Sequence, residues 1–263
     1  MPETDKMLSR KEGHVGHLIF NNPERHNAVS LAMWEAMARI LDDFAADEGI
    51  RVVVLTGAGT KAFVSGADIS KFEDERANKE AVAQYNATTA RSFERLAQFP
   101  KPTIAMIRGY CIGGGLAIAL CCDIRVASAG SRFALPAAKL GLGYDYSGLK
   151  HFVEIVGPAF AKEIFFTARQ FDAEEARAMG LVNRVVPEAE LAHLVRGYSD
   201  MIAANAPLTI RASKFAIGEA LKDETQRDLA RCRELAQQCF DSRDYEEGRR
   251  AFMEKRKPAF EGR

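Results

Sequence analysis

Three short stretches hold the residues whose types and spacing could do chemistry. The first, GYCIGGGLAIALCCDI (Gly109 to Ile124), sets Gly113, Gly114 and Gly115 directly before seven apolar residues, Leu116 to Cys122. Glycine lets a backbone approach a ligand without side-chain interference. A helix that begins there offers unpaired N–H groups and the positive end of its dipole. That helix is apolar all round, so it belongs inside the protein and the anion site at its mouth is dry. The stretch contains no lysine, serine or threonine to balance a full phosphate charge. A partial or transient charge fits better, such as the oxygen of a polarised carbonyl or an enolate.

The second stretch is AFVSGADI (Ala62 to Ile69), whose Ser65-Gly66 follows a strand candidate at Val52 to Thr56. Ligands bind at strand ends in parallel sheets, so one backbone N–H from each glycine-bearing stretch would form an oxyanion hole. A glycine turn of purely structural use is the alternative for the first stretch alone. Dinucleotide binding is set aside, because the spacing is not G-x-G-x-x-G and the acidic residue about 20 positions later is absent. The third stretch, GLGYDYSG (Gly141 to Gly148), places Asp145 between Tyr144 and Tyr146. An acid there, if close to an apolar pocket, would have its pKa raised by desolvation, and the phenols could donate to it or to a substrate. Glycine, aspartate and serine are also ordinary turn residues.

The elements that must position these residues repeat a pattern. HVGHLIF (His14 to Phe20) reads as a strand, and the loop NNPERHNAVS leads into a helix from about Ser30 to Asp47. VVVLTG (Val52 to Gly57) is an unbroken run for a strand covered on both faces. The segment from Ser70 to about Ala90 is polar and charged, expected to be mobile, and a helix follows it up to Phe99. TIAMIRG (Thr103 to Gly109), DIRVAS and VNRVV add further strands. Short strand, glycine turn and helix, used repeatedly, predict an α/β fold of parallel strands joined by right-handed crossovers. DAEE (Asp172 to Glu175) has the spacing of a capping box. Beyond Pro187 the composition turns helical, with helices expected over 188–204, 207–222 and 224–242 and a shorter one near 245–255. The chain therefore divides into a core, residues 1–187, and a helical C-terminal region, residues 188–263.

Composition bounds the function. The 263 residues carry 36 basic and 36 acidic side chains, which argues against a dedicated nucleic-acid or anionic-membrane surface. Five cysteines without paired spacing read as reduced thiols. The N-terminus lacks an apolar signal core, and no stretch nears the roughly 18 apolar residues that span a bilayer. The expectation is a soluble cytoplasmic protein with neither nucleic acid nor membrane as partner. No HExxH and no Cys/His cluster suggests a metal.

AFVSGADI and GYCIGGGLAIALCCDI, with the NPERHNA loop and the terminal AFMEKRKPAF, resemble the crotonase (enoyl-CoA hydratase/isomerase) superfamily from His14 to the C-terminus. The resemblance implies a spiral of repeated β-β-α units, and a helical C-terminal region that builds a homotrimer or dimer of trimers. It implies acyl-CoA thioester substrates, with coenzyme A as part of the substrate and no separate cofactor. By position, the backbone N–H groups of Ser65 and Gly114 cradle the thioester oxygen. Arg25 to Ala28 line the pantetheine arm, Ala67, Asp68 and Ile69 border the adenine, and Phe252 and Lys255 reach the CoA of a neighbouring subunit. Without the resemblance, Lys255 is an ordinary solvated lysine; Asp68, like Asp123, belongs to a turn that recurs in the family and reads as structural.

The sequence departs from the hydratase pattern at both acid/base positions. Adding water across an enoyl-CoA double bond uses two glutamates. The position two residues after the third glycine is Ala117, and the one after the proline of FALPA is Ala137. Alanine cannot transfer a proton. Asp145 resembles the acid that dienoyl-CoA and some enoyl-CoA isomerases use as a proton shuttle, with Tyr144 beside it. An enolate-stabilising isomerase is therefore the leading expectation. A hydratase-type lyase with other acid/base groups, an Asp145-nucleophile hydrolase or dehalogenase, and a silent acyl-CoA-binding subunit stay open.

Overall fold

A computed structural model describes residues 4–71, 75, 77–144 and 146–263. Among these, six strands form one sheet in the order β1-β2-β3-β5-β7-β10. They are β1 (Met7–Glu12), β2 (Val15–Phe20), β3 (Val52–Gly57), β5 (Thr103–Ile107), β7 (Ile124–Ser128) and β10 (Arg184–Val186). Only β1 is antiparallel to its neighbour; the other pairings are parallel. Four short strands form a second sheet in the order β4-β6-β8-β9: β4 (Ala62–Val64), β6 (Tyr110–Ile112), β8 (Arg132–Ala134) and β9 (Phe171–Asp172).

Each of β3, β5 and β7 hands the chain to β4, β6 or β8 within a few residues, and a helix then returns it to the first sheet. This is the β-β-α spiral that the resemblance implies. The chain forms α1 (Leu31–Ala46), α2 (Lys79–Ala97), α3 (Gly114–Cys121), α4 (Tyr146–Thr167) and α5 (Ala173–Ala178). The C-terminal region follows with α6 (Glu188–Ala204), α7 (Pro207–Ala220), α8 (Leu229–Phe240) and α9 (Arg243–Met253).

Side-chain periodicity explains the layers. On α1, Met33, Met37, Leu41 and Phe44 are buried at helical spacing, together with Trp34, each contributing about 2 kcal/mol relative to exposure. β3 is buried from Val52 through Leu55 because both of its faces are covered. Val53 and Leu55 join the main core, whereas Val52 and Val54 face Leu191 and Val195 of α6. Helix α3 lies inside the protein, with Leu116, Ile118, Ala119 and Leu120 buried. It presses so closely on β4 that a Cβ at Gly115 would lie 2.1 Å from the Val64 carbonyl oxygen. Only glycine fits there.

Several expectations need correction. β1 lies in the polar N-terminal segment, where a single buried residue, Met7, gives no alternation to read. Within the segment expected to be mobile, residues 72–74 and 76 lie outside the described residues. From Lys79 onward the chain is helix α2, capped by the Asn78 side chain, with Tyr85 buried. The helix expected over 224–242 is a 3-10 turn, Glu224–Gln226, followed by α8. The break falls at Asp228, whose side chain accepts the Arg231 amide at 2.8 Å. The DAEE capping box forms on α5: Asp172 accepts the Glu175 amide at 2.9 Å, and Glu175 accepts the Asp172 amide at 3.2 Å. Among the described residues, no helix is long and apolar enough to cross a membrane.

Candidate active site

The mouth of α3 is built from main chain. Gly113, at φ 55° and ψ −117°, turns β6 into the helix, and its amide donates to the Ala134 carbonyl at 2.9 Å. Gly114 is the first helical residue and no side chain caps the end, so its amide has no carbonyl one turn earlier to meet. The Gly66 backbone lies alongside. A Cβ built on Gly114 would be 3.9 Å from Gly66 Cα and 4.0 Å from its carbonyl carbon, and 3.7 Å from Trp34 Cζ2. Trp34 is held by an Nε1–H bond to the Tyr85 hydroxyl at 3.3 Å.

Which amide of the SGAD segment faces this gap follows from its bridge to Val29. The Gly66 carbonyl accepts the Val29 amide at 2.9 Å, and the Asp68 amide donates to the Val29 carbonyl at 3.0 Å. Successive amides of an extended chain point to opposite sides, so the Ala67 amide points away from Val29. Among the described residues no acceptor meets the Ala67 or the Gly114 amide. The Ser65 amide, by contrast, donates to the His26 carbonyl at 3.1 Å. The N–H of Ser65, expected as the free donor, is thus engaged, whereas that of Ala67, two residues further on, is not.

The loop before α1 holds this arrangement in place. His26 and Asn27 both adopt left-handed backbone, at φ 53° and 57°. Asn27 is fully buried; its amide group donates to the Ala58 and Ala62 carbonyls at 3.0 and 2.8 Å and its oxygen accepts the Asn22 amide at 2.9 Å. The loop is thereby tied to the turn between β3 and β4. The sequence pattern gave Asn27 no role, because its partners are carbonyls more than 30 residues away.

The remaining predicted site residues fall into separate places. Arg25 lies 3.6 Å from the buried Asp68 carboxylate, which also accepts the Ser70 amide and hydroxyl at 3.2 and 2.7 Å. Ala67 is half-buried and Ile69 is exposed beside them, while Ala28 is buried. Phe252 is 82% exposed at the end of α9, and Lys255 follows it in left-handed backbone. Among the described residues no hydrogen bond or ion pair joins either to the Arg25–Ile69 segment. Ala117 is half-buried on α3, with its amide on the Gly113 carbonyl at 3.1 Å, and Ala137 is buried in the 3-10 turn Pro136–Leu140. Tyr144 packs edge-on against Phe165, ring centroids 5.1 Å apart, and desolvation pushes its phenol pKa up from the ordinary value. Asp145 lies outside the described residues.

Comparison with known proteins gives this geometry a setting. The sequence model of the family "Enoyl-CoA hydratase/isomerase" matches residues 10–263. The chain belongs to the enoyl-CoA hydratase/isomerase family. It is 35% identical to the short-chain-enoyl-CoA hydratase of Clostridium acetobutylicum, over 97% of both chains. It is 32% identical to the crotonyl-CoA hydratase of Syntrophomonas wolfei, over 97% of this chain and 98% of the relative. Among solved structures, an enoyl-CoA hydratase/carnithine racemase from Magnetospirillum magneticum superposes with a TM-score of 0.93 at 39% identity, covering 99% of this chain and 97% of that one. As a member of the enoyl-CoA hydratase/isomerase family, the protein is an acyl-CoA enzyme of that type, and its fold is the crotonase fold.

Proposed function

We propose that the enzyme binds an enoyl-CoA thioester with its carbonyl oxygen between the Ala67 and Gly114 amides, and moves a proton along the acyl chain with Asp145. The observation that carries this reading is the pair of amides without acceptors, placed on neighbouring backbones beside Trp34 at the mouth of a buried helix. As a proton leaves the acyl chain, negative charge gathers on the thioester oxygen. Two donors fixed in a dry site stabilise that charge more than they stabilise the ground state.

Isomerisation suits a single acid/base, because one carboxyl group can remove a proton and return it elsewhere. Alanine at both 117 and 137 supports that choice. Tyr144, a phenol that is neutral near pH 7 and that desolvation shifts further from ionising, can donate to substrate or to Asp145. Arg25, Ala28, Ala67, Asp68 and Ile69 serve the CoA portion, with Phe252 and Lys255 contributing from a neighbouring subunit of a homotrimer or dimer of trimers. The exposure of Phe252 and Met253 supports a covered end of α9 in the assembly. The second reading is hydration with acid/base groups drawn from elsewhere, favoured by the hydratase names of the relatives.

Mass spectrometry of enoyl-, dienoyl- and aryl-CoA thioesters incubated in D₂O separates these readings. Deuterium entering the acyl chain, and lost in Asp145→Asn, is the expected result. Net gain of water, undiminished in that variant, establishes the hydratase reading and removes Asp145 from the mechanism. Binding of thioesters without any change of mass marks a silent binder.

A further inference from the structure

The two ends of α3 are treated in opposite ways. Its first amide is left open, whereas the Ala119, Leu120 and Cys122 carbonyls at its other end are engaged by side chains or by the following turn. The Cys122 amide donates to the Ala119 carbonyl at 3.1 Å, and His151 Nε2 donates to the Leu120 carbonyl at 2.7 Å. Arg125, on β7, reaches back beneath the helix end. Its guanidinium donates to the Cys122 carbonyl at 2.5 Å, to the Ala119 carbonyl at 3.5 Å and to the Leu181 carbonyl at 2.6 Å. The residue is only 7% exposed.

A buried charge is ordinarily paired with an opposite charge, yet the partners of this guanidinium are main-chain carbonyls. The nearest acid, Asp123, is committed to Thr103 and Lys214 through bonds of 2.7–2.9 Å. Burial lowers the arginine's affinity for its proton, but a guanidinium stays charged at any pH at which the protein is folded. The structure thus holds a cation at the negative end of the one helix whose positive end faces the reacting oxygen.

We infer that Arg125 is a positioning residue for the oxyanion site: it fixes the C-terminal end of α3 and, by its charge there, strengthens the pull of the Gly114 end on the thioester oxygen. The inference rests on the placement of that oxygen between Ala67 and Gly114. Neutralising the negative end of a helix dipole leaves the positive end less opposed. Eight helical residues separate the two ends, a distance of about 12 Å. At an effective dielectric of about 20, the attraction of a unit charge for an oxyanion over that distance is worth a factor of about ten.

The test separates charge from hydrogen bonding. Arg125→Gln keeps two N–H donors without charge, and Arg125→Lys keeps the charge without the fork. Each variant is measured for kcat and KM, and for the infrared C=O stretch of butanoyl-CoA, ¹³C-labelled at the carbonyl, bound to the whole enzyme. The wild type shifts the stretch to lower wavenumber on binding. Arg125→Lys retains most of that shift and kcat within about threefold, while Arg125→Gln loses about tenfold in kcat with KM nearly unchanged and a smaller shift. Equal behaviour of the two variants, or a Gln variant with the full shift and full kcat, overturns the inference and leaves the oxyanion site intact. Absence of any shift in the wild type overturns both. Should Arg125→Gln fail to fold, a folded Arg125→Lys that loses tenfold or more in kcat is sufficient to reject the role of charge.

Discussion

The amide of Ser65 donates to the carbonyl of His26 at 3.1 Å. With the Ser65 N–H engaged there and the Ala67 N–H turned away from Val29, Ala67 is the donor proposed to act beside Gly114. Replacing Ala67 by lactic acid exchanges that single N–H for an ester oxygen without altering a side chain. The expected loss is 10² to 10³ in kcat, the usual cost of removing one oxyanion donor. The same exchange at Ser65, with glyceric acid, leaves kcat within about threefold. Steady-state kinetics of the two esters check this; a larger loss at 65 than at 67 reverses the assignment.

Ala117 and Ala137 differ in what a carboxylate there would meet. Ala117 is half-buried on α3, whereas Ala137 is 6% exposed within its 3-10 turn. Ala117→Glu is expected to leave the melting temperature nearly unchanged. Ala137→Glu buries a carboxyl group and costs about 2–4 kcal/mol. Together the two glutamates supply the pair that water addition uses, so the double variant gains hydration of a short enoyl-CoA over wild type. Thermal melts and the loss of enoyl absorbance measure both effects.

The C-terminal tail folds back onto α9 through two acids. Asp244 accepts the Glu261 and Gly262 amides at 2.7 and 2.9 Å, and Glu247 accepts the Ala259 amide at 3.0 Å. Hydrogen bonds from Arg256 and then Arg250 hold the Glu247 carboxyl well below the usual range, with the Ala259 amide adding to them. A carboxylate whose folded pKa is depressed contributes stability that is present above the unfolded value, about 4.3, and lost as pH falls below it. Wild type therefore loses melting temperature progressively as pH falls from about 5 toward 3. Glu247→Gln melts lower at pH 7 and declines less over the acid range. Differential scanning fluorimetry across that window is the check.

Much of the architecture was legible because long apolar runs report burial directly. Val52–Gly57, the α1 stripe and the all-apolar α3 each matched their elements. The three-residue strands β4, β6 and β8 were not, since three residues cannot display a period of two. In the site, the glycines announced close backbone approach. Their sequence cannot tell which amide turns toward the gap, because the answer depends on Val29, which pairs with Ala67 from another loop. Helix α2 was obscured for a related reason. Its polar surface reads as solvated chain, and the burial of Tyr85 against Trp34 is visible only once α1 lies beside it.

The most direct test of the account is the rate of deuterium incorporation from D₂O into the acyl chain of a thioester substrate by Gly114→Pro, with Gly114→Ala as its control. Proline is tolerated at the first position of a helix; it removes the N–H and puts its ring Cδ where that hydrogen pointed. A Cβ at residue 114 meets Trp34 and Gly66 at ordinary contact distances, 3.7 Å and 3.9 Å. The account predicts that Gly114→Ala exchanges at close to the wild-type rate and that Gly114→Pro, still folded, falls by 10² to 10³. Exchange in folded Gly114→Pro at the wild-type rate would contradict it.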